Sequence, residues 1–436
     1  MKPSDPSPRP RCTVVGILDD GWRGLSEAAR DSLRNAGLVI GAERTLRLVR
    51  AELAAATECR DLAGGLSSSP AWIREALASG RGVAVLATGD PLCHGIASTL
   101  IERLGSELIT VLPAPSTLQI AFARFRKVWQ DVTIASCHSQ DAGEWHFGAT
   151  PAHGLYPLMR AIALHRRVFA FTSPANNPAR LARALMAAGY TDDARISVAS
   201  RLLLPDEAVF TDLAAVDAAG MAFSEPGVVL VERADTTAEP AFGREDFEYL
   251  QRTPEKGLLT KLEARAVSLA KLRLKSNAIV WDIGAGAGSV GLECARLAPH
   301  GHVWAIEKNA DDAANARANA ARFRIGNYTL HEGRAPAGLA AWPNPDAVFI
   351  GGSGGELATL IRLVLSRLNT GGRLVMNFVT LENLATATGA LSELGAAWEV
   401  VQLQASRSQP ILNMHRLAAQ NPVWIVAAHN PQKGSA

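Results

Sequence analysis

Long apolar runs, paired cysteines and an excess of one charge are all missing from this chain of 436 residues. No segment approaches the roughly 18 consecutive apolar residues of a membrane helix, and the opening MKPSDPSPRPRC has no apolar core of a signal peptide. The expectation is a protein with no membrane partner and a short disordered tail over residues 1–10; residues 432–436 read as a similar frayed end. Five cysteines, Cys12, Cys59, Cys93, Cys137 and Cys294, are scattered without a CxxC pair. That argues against a zinc knuckle and against a disulfide framework, and fits a reducing cytoplasm. The net charge is only +2 and no Lys/Arg block stands out, so an electrostatic footprint for nucleic acid is lacking.

What is present is enough apolar residue, 48%, to build more than one core in a chain longer than single cores usually grow. From Arg11 onward short apolar strands alternate with turns and helical patterns. Strands are predicted at 13–17, 38–40, 82–86, 108–112 and 132–135, with helices at 26–35 and 98–104. A second group follows, with strands at 167–171, 195–200 and 227–231 and a helix through 179–188. Residues 233–245, RADTTAEPAFGRE, carry Pro240, Gly243 and no apolar period, which is linker chemistry. Beyond it a helix is predicted over 261–272, strands at 278–283, 303–306, 346–350 and 372–376, and helices at 290–297 and 313–323. The fold class is α/β throughout, with domains at 11–232 and 246–436.

The sharpest motif is Asp282-Ile283-Gly284-Ala285-Gly286-Ala287-Gly288 after an apolar strand. Residues without a Cβ let backbone N–H groups approach a ligand closely, so Gly284, Gly286 and Gly288 suit a Rossmann-like cofactor loop. An acidic residue to bind ribose hydroxyls should end the next strand roughly 20 residues on, and Glu307 stands there. The spacing is not the GxGxxG of nicotinamide enzymes, which sets a dehydrogenase aside. Lys261 and Arg265, four apart on a predicted helix, are candidates to hold substrate carboxylates, with a solvated, ion-paired face as the alternative. Asn377, Thr380 and Glu382 follow a strand end where α/β ligands gather, with helix capping as their alternative. In the N-terminal half, Thr88-Gly89-Asp90-Pro91 and Pro113-Ala114-Pro115-Ser116-Thr117 each follow an apolar strand. An Asp-Pro turn needs no ligand to explain it. His138, His146 and His153 have no compact metal-ligand spacing and sit in a Gly/Pro-rich loop, so no metal is expected; Trp145 and Phe147 read as lid or packing residues.

The cofactor motif resembles Rossmann-like S-adenosylmethionine methyltransferases. The flanks LTKLEARA, WDIGAGAGSVGLE, GRAPAGL, PDAVFIGGSGG, MNFVTLEN and RLAAQNPVWIV resemble the decarboxylating methyltransferase domain of cobalamin biosynthesis. That resemblance implies methylation of carbon 15 of a precorrin with loss of carbon dioxide from the ring C acetate. It places Thr260, Asp282, residues 284–288, Glu307 and Ala335 at the cofactor, with Asp282 orienting the loop near the methionine part. Arg334 stands where many such enzymes have Asp, so the adenine contact falls to backbone at Ala335 or elsewhere. VVGILDDGW, ATGDPL, PAPST and TSPANNPARLARAL are similar to the tetrapyrrole methylase family, in its branch acting at carbon 5. Two lobes clamping a second S-adenosylmethionine are then implied, with Gly16, Gly89, Asp90, Ser116 and Thr117 in contact with it; Leu18 stands where members commonly have a second glycine.

The order of the two domains implies a bifunctional methyltransferase. It would use two S-adenosylmethionine per chain on precorrin-6Y or its reduced form, give precorrin-8X, and work as a cytoplasmic homo-oligomer. Lys261, Arg265, Asn377 and Glu382 would handle substrate or protons. The rival readings are a C-terminal methyltransferase acting on RNA, and a noncatalytic tetrapyrrole-binding module in the N-terminal half.

Overall fold

The computed structural model describes residues 11–93, 95–138, 140–234, 240–252 and 259–429. The expected tails and residues 235–239 of the expected linker lie outside them. The chain is mixed α/β with parallel-rich sheets. By contacts it divides into two compact units, Met1–His138 with Arg167–Ala179 and Arg195–Glu232, and Ser139–Arg166 with Arg180–Ala194 and Arg233–Ala436.

The first unit holds a five-stranded sheet in the order Glu58–Asp61, Leu38–Gly41, Val83–Thr88, Cys12–Ile17, Ile109–Leu112, all parallel. Alternate side chains go to opposite faces of a strand: Cys12 and Val14 enter one core cluster, Val15 and Ile17 the other. Both faces of the inner strands are covered, so these read as continuous apolar runs, whereas the edge strand Glu58–Asp61 is polar and partly exposed. Its second sheet is mixed, in the order Thr133–Ser136, Arg167–Phe171, Gly227–Arg233, Ala194–Ser200, Ala208–Ala214. The helix Thr117–Phe125 packs Leu118, Phe122 and Phe125 against Phe169, Val228 and Leu230 of that sheet. Its start is fixed by a capping box, in which Ser116 Oγ accepts from Gln119 N and the Gln119 side chain accepts from Ser116 N.

The second unit is built on a seven-stranded sheet in the order Tyr328–Glu332, His302–Glu307, Ile279–Ile283, Ala347–Ile350, Arg373–Phe378, Val423–His429, Ala397–Leu403. The first five run parallel and Val423–His429 is antiparallel to its two neighbours. Val280, Val303 and Phe349 face one core, Trp281, Ile306, Val348 and Ile350 the other. Residues 139–166 and 180–194 belong to this unit through a buried polar chain. The Tyr156 hydroxyl donates to His302 Nδ1 (2.7 Å), His302 Nε2 lies 2.9 Å from Thr329 Oγ1, and Thr329 Oγ1 donates to Gly148 O at 2.8 Å. Because Thr329 gives its only proton to a carbonyl, it must accept from His302, so Nε2 carries the imidazole proton. Burial, with the charge of Arg160 nearby, lowers the His302 pKa to about 3.

Within the expected linker Gly243 N and Arg244 N donate to the Glu293 carboxylate and Arg244 is buried, while residues 240–242 are exposed. One expectation is corrected. The helix over 261–272 begins at Leu262, with Lys261 extended as its N-cap, so Lys261 and Arg265 do not share a helix face.

Candidate active site

In the second unit the strand Ile279–Ile283 runs into the glycine loop and the helix Ser289–Leu297 leaves it. Gly284 is at φ +72°, and a Cβ there would lie 2.4 Å from Gly352 O and 2.6 Å from Gly352 N, so two backbone segments cross where no side chain fits. The Glu307 carboxylate, at the end of the next strand, accepts from Gly286 N and from Asn309 N, each at 2.9 Å. Two bonds leave lone pairs for ligand hydroxyls, since a carboxylate offers about four acceptor positions. Gly284, Gly286, Glu307, Lys308, Arg334 and Ala335 line a cleft of about 290 Å³ with residues 351–354. Arg334 is held at its rim, where Nη2 donates to Gly354 O at 2.6 Å.

Asp282 lies beneath the loop, fully buried, and is not part of the cleft wall. One oxygen accepts from Gly291 N at 3.0 Å and the other has no partner among the described residues. Burial, reinforced by the charge of Glu307, pushes its pKa up to about 7. Ala287 and Gly288 also turn inward: Ala287 is in the core, and a Cβ on Gly288 would meet Ala316, Leu292 and the Tyr328 hydroxyl at 3.2 Å.

A second cleft of about 580 Å³ adjoins the first, and Gly351 belongs to both walls. Thr260, Lys261, Asn377, Gln420 and Asn421 line it, brought together from distant parts of the chain. Thr260 thus stands on this cleft rather than on the glycine-loop one. Asn377 is oriented by Ser268, its Nδ2 donating to Ser268 Oγ at 2.9 Å. Arg265 is corrected. Its side chain is 0% exposed, its Nε donates to Glu293 (2.9 Å) and its Nη1 to Thr260 O (2.7 Å), with Asp246 also in range, so it cannot reach a substrate. What it does is hold the Thr260 carbonyl at the edge of the cleft. Glu382 is exposed in the first turn of the helix Leu381–Glu393 and does not line the cleft, and Thr380 precedes that helix without a side-chain cap bond.

In the first unit a cleft of about 410 Å³ opens among the strand ends, lined by Leu18, Asp19, Arg44, Thr88, Thr117 and His138 among others. Arg44 is paired with Asp19 and donates to Thr88 Oγ1 at 3.0 Å. Of the expected contacts, Thr117 is on the wall. Gly16 serves a backbone crossing, since a Cβ would lie 2.4 Å from both Ala114 N and Gly89 O; Gly89 itself is at φ +68°. Asp90 Oδ1 accepts from Leu92 N at 2.9 Å, which is the turn reading of that motif. Ser116 spends its hydroxyl on the capping box. Asp19, Arg44 and His138 were not expected, although Asp19 lies within the VVGILDDGW stretch. His146 and His153 are ring neighbours at 6.1 Å, Trp145 packs on Tyr156, and among the described residues no His/Cys/Asp/Glu group could hold a metal ion. No helix of the described residues is long and apolar enough to cross a membrane.

Comparison with known proteins covers both halves. The tetrapyrrole (corrin/porphyrin) methylase family model matches residues 11–217, and the precorrin methyltransferase domain model matches residues 253–429. A Sinorhizobium protein named precorrin-6Y C(5,15)-methyltransferase (decarboxylating) is 34% identical over 411 residues, 93% of this chain and 93% of its own. One of the same name from Mycobacterium tuberculosis is 29% identical over 95% of this chain and 98% of its own. The cobalt-precorrin-6B C(15)-methyltransferase (decarboxylating) of Salmonella typhimurium is 39% identical over 40% of this chain and 90% of its own. These names match the bifunctional reading and not that of an RNA enzyme with a noncatalytic module. With both halves matched in order and the alignment running nearly end to end, the chain belongs to the family of precorrin-6Y C(5,15)-methyltransferases (decarboxylating).

Proposed function

We propose that the chain methylates carbons 5 and 15 of precorrin-6Y or its reduced form and removes the ring C acetate carboxyl as carbon dioxide, giving precorrin-8X. Two S-adenosylmethionine molecules serve each chain, one per methylation. The observation that carries this reading is the pair of adjoining clefts sharing Gly351, one built like a nucleotide-type cofactor site and the other roomier, with Thr260, Lys261, Asn377, Gln420 and Asn421 set among apolar side chains. A methyl donor and a ring acceptor need that adjacency, because alignment of the reacting atoms is most of what catalysis requires when the methyl is already activated.

The donor's sulfonium supplies the activated methyl; the protein supplies position. Glu307 takes the ribose hydroxyls, Gly284 and Gly286 admit the donor to their backbone, Ala335 meets the adenine, and Asp282 holds the loop on its helix. Thr260, Lys261 and Asn377 face the tetrapyrrole, with Lys261 the cation for its carboxylates. In the N-terminal cleft Thr117 contacts the second donor, with Gly16, Gly89, Asp90 and Ser116 shaping the backbone around it. The catalytic domains run over 11–232 and 246–436. The unpaired state of all five cysteines fits a cytoplasmic setting. Assembly as a homo-oligomer is supported by the hairpin Ser406–Ile411/Met414–Ala419, which exposes Ile411, Leu412, Met414 and Leu417.

The test is incubation of the intact chain with S-adenosylmethionine and reduced precorrin-6Y, followed by mass spectrometry. Gain of two methyl groups and loss of one carbon dioxide is expected, with calorimetry giving two donor sites per chain. A single site, or a product methylated only once, refutes the bifunctional reading.

A further inference from the structure

One polar cluster on the N-terminal cleft is explained neither by packing nor by the expected cofactor contacts. The strands Thr133–Ser136 and Arg167–Phe171 run parallel, and Gly227–Arg233 runs antiparallel to the second. The ends of the first two and the start of the third therefore meet at one edge of the sheet. His138 and Thr172 follow the first two strands, Glu225 precedes the third, and Ser200 ends the strand Ala194–Ser200. Thr172 Oγ1 donates to Gly227 O at 2.7 Å, and a Cβ on Gly227 would lie 3.5 Å from Thr172 Oγ1 and 3.6 Å from Ser200 Oγ. Glu225 accepts from Gly227 N at 3.1 Å through one oxygen, while its other oxygen and Ser200 Oγ are shielded from solvent without a partner among the described residues.

His138 is exposed on the cleft wall, and its Nδ1 lies 2.9 Å from the Thr172 carbonyl. A carbonyl only accepts, so Nδ1 must carry the proton and the neutral ring presents Nε2 as a lone pair. No described group bonds to Nε2. Burial raises the Glu225 carboxyl pKa, opposed by the hydrogen bond from Gly227 N and by the charge of His138. The other titratable or charged groups on this cleft are Asp19, Arg44 and Cys93, from the first sheet's side.

We propose that His138, oriented by the Thr172 carbonyl, is the proton acceptor for methyl transfer in the N-terminal cleft. This rests on the function proposed above. As the ring carbon's electron pair forms the new bond to the methyl, the S–CH₃ pair returns to sulfur, leaving a neutral thioether and moving the positive charge to the ring. Nε2 then takes the proton from the methylated carbon, the C–H pair rejoins the ring conjugation, and the charge rests on the imidazolium. Exposure of His138 lets the proton pass to water.

The test uses the full chain and its His138→Gln variant, with the carbon 5 and carbon 15 products resolved by mass spectrometry. For His138→Gln, kcat at carbon 5 is expected to fall about 10²–10⁴-fold, with KM held within about threefold. Its carbon 15 methylation and decarboxylation should be unchanged, the acid limb of its pH profile should vanish, and added imidazole should restore part of the rate. A higher KM with unchanged kcat in His138→Gln makes the residue a substrate contact and overturns the proposal; so does a retained acid limb. Equal carbon 5 activity in wild type and His138→Gln overturns it alone, whereas a wild-type chain that adds no methyl at carbon 5 overturns the functional reading as well.

Discussion

Mild acid is expected to weaken the second unit through one imidazole. His302 is neutral and locked between Tyr156 and Thr329, with its pKa lowered from 6.5 to about 3 by burial and by Arg160. Above pH 6.5 the ring is neutral in folded and unfolded chains alike and contributes no pH dependence. Below it the unfolded chain binds a proton that the folded chain refuses, so stability falls as pH drops, by about 1.4 kcal/mol per unit, until the folded ring titrates as well. At about pH 5.5 the loss is about 1.4 kcal/mol, and the full span down to the folded pKa is worth about 5 kcal/mol. Other groups titrate over the same range, so the measurement is a difference of differences. Urea unfolding of wild type and His302→Gln is followed at about pH 7.5 and about pH 5.5, where the variant should lose about 1.4 kcal/mol less than wild type. The variant starts lower, because an imperfectly bonded Tyr156 or Thr329 costs about 1–3 kcal/mol. Equal losses in the two proteins, or a His302 nitrogen resonance titrating with its midpoint near 6.5, refute the reasoning.

Glu307→Ala should weaken donor binding at the C-terminal cleft about 10–100-fold, as expected for losing hydrogen bonds to a charged group, and calorimetry should show the N-terminal site unchanged. Arg265→Met leaves the buried Glu293 without its ion-pair partner, while Asp246 keeps Arg407, so a stability loss of about 3–5 kcal/mol is expected by denaturant unfolding. A change in substrate KM with stability intact would instead return Arg265 to a substrate role. Gly284→Ala forces a side chain into positive φ and against the Gly352 backbone, at a cost of about 1–3 kcal/mol or more, and should abolish donor uptake at that cleft while the N-terminal site still binds.

The glycine loop and its acid were legible because both are local: a chain turning at positive φ selects glycine, and a strand end fixes where Glu307 stands. The inner parallel strands were legible because burial on both faces makes them continuous apolar runs, whereas the polar edge strands Glu58–Asp61 and Tyr328–Glu332 were not anticipated. The adjoining cleft was not, since Thr260, Asn377 and Gln420 meet only through the order of the sheet. Arg265 was misread for a definite reason. A four-residue spacing places two side chains on one face only if both are helical, and Lys261 is the extended residue before the helix. Asp90 and Ser116 show a related limit, because their motifs are equally well satisfied by a turn and a cap, which is how the structure uses them. The hairpin Ser406–Ile411/Met414–Ala419 was not anticipated, having no apolar alternation strong enough to mark it.

Gly351 is shared by the walls of the two clefts, and its effect is on timing. It brings no side chain between them, and a methyl there would project to within 3.1 Å of Gly284 O and of the Phe349 ring. With donor and macrocycle seated as proposed, spent donor would be exchanged on one side while the macrocycle stays on the other, so neither molecule would have to wait for its companion to arrive or leave. Initial-rate kinetics for the carbon 15 step should accordingly show random order, and a side chain at that doorway should slow the meeting of the two reactants more than it loosens either one.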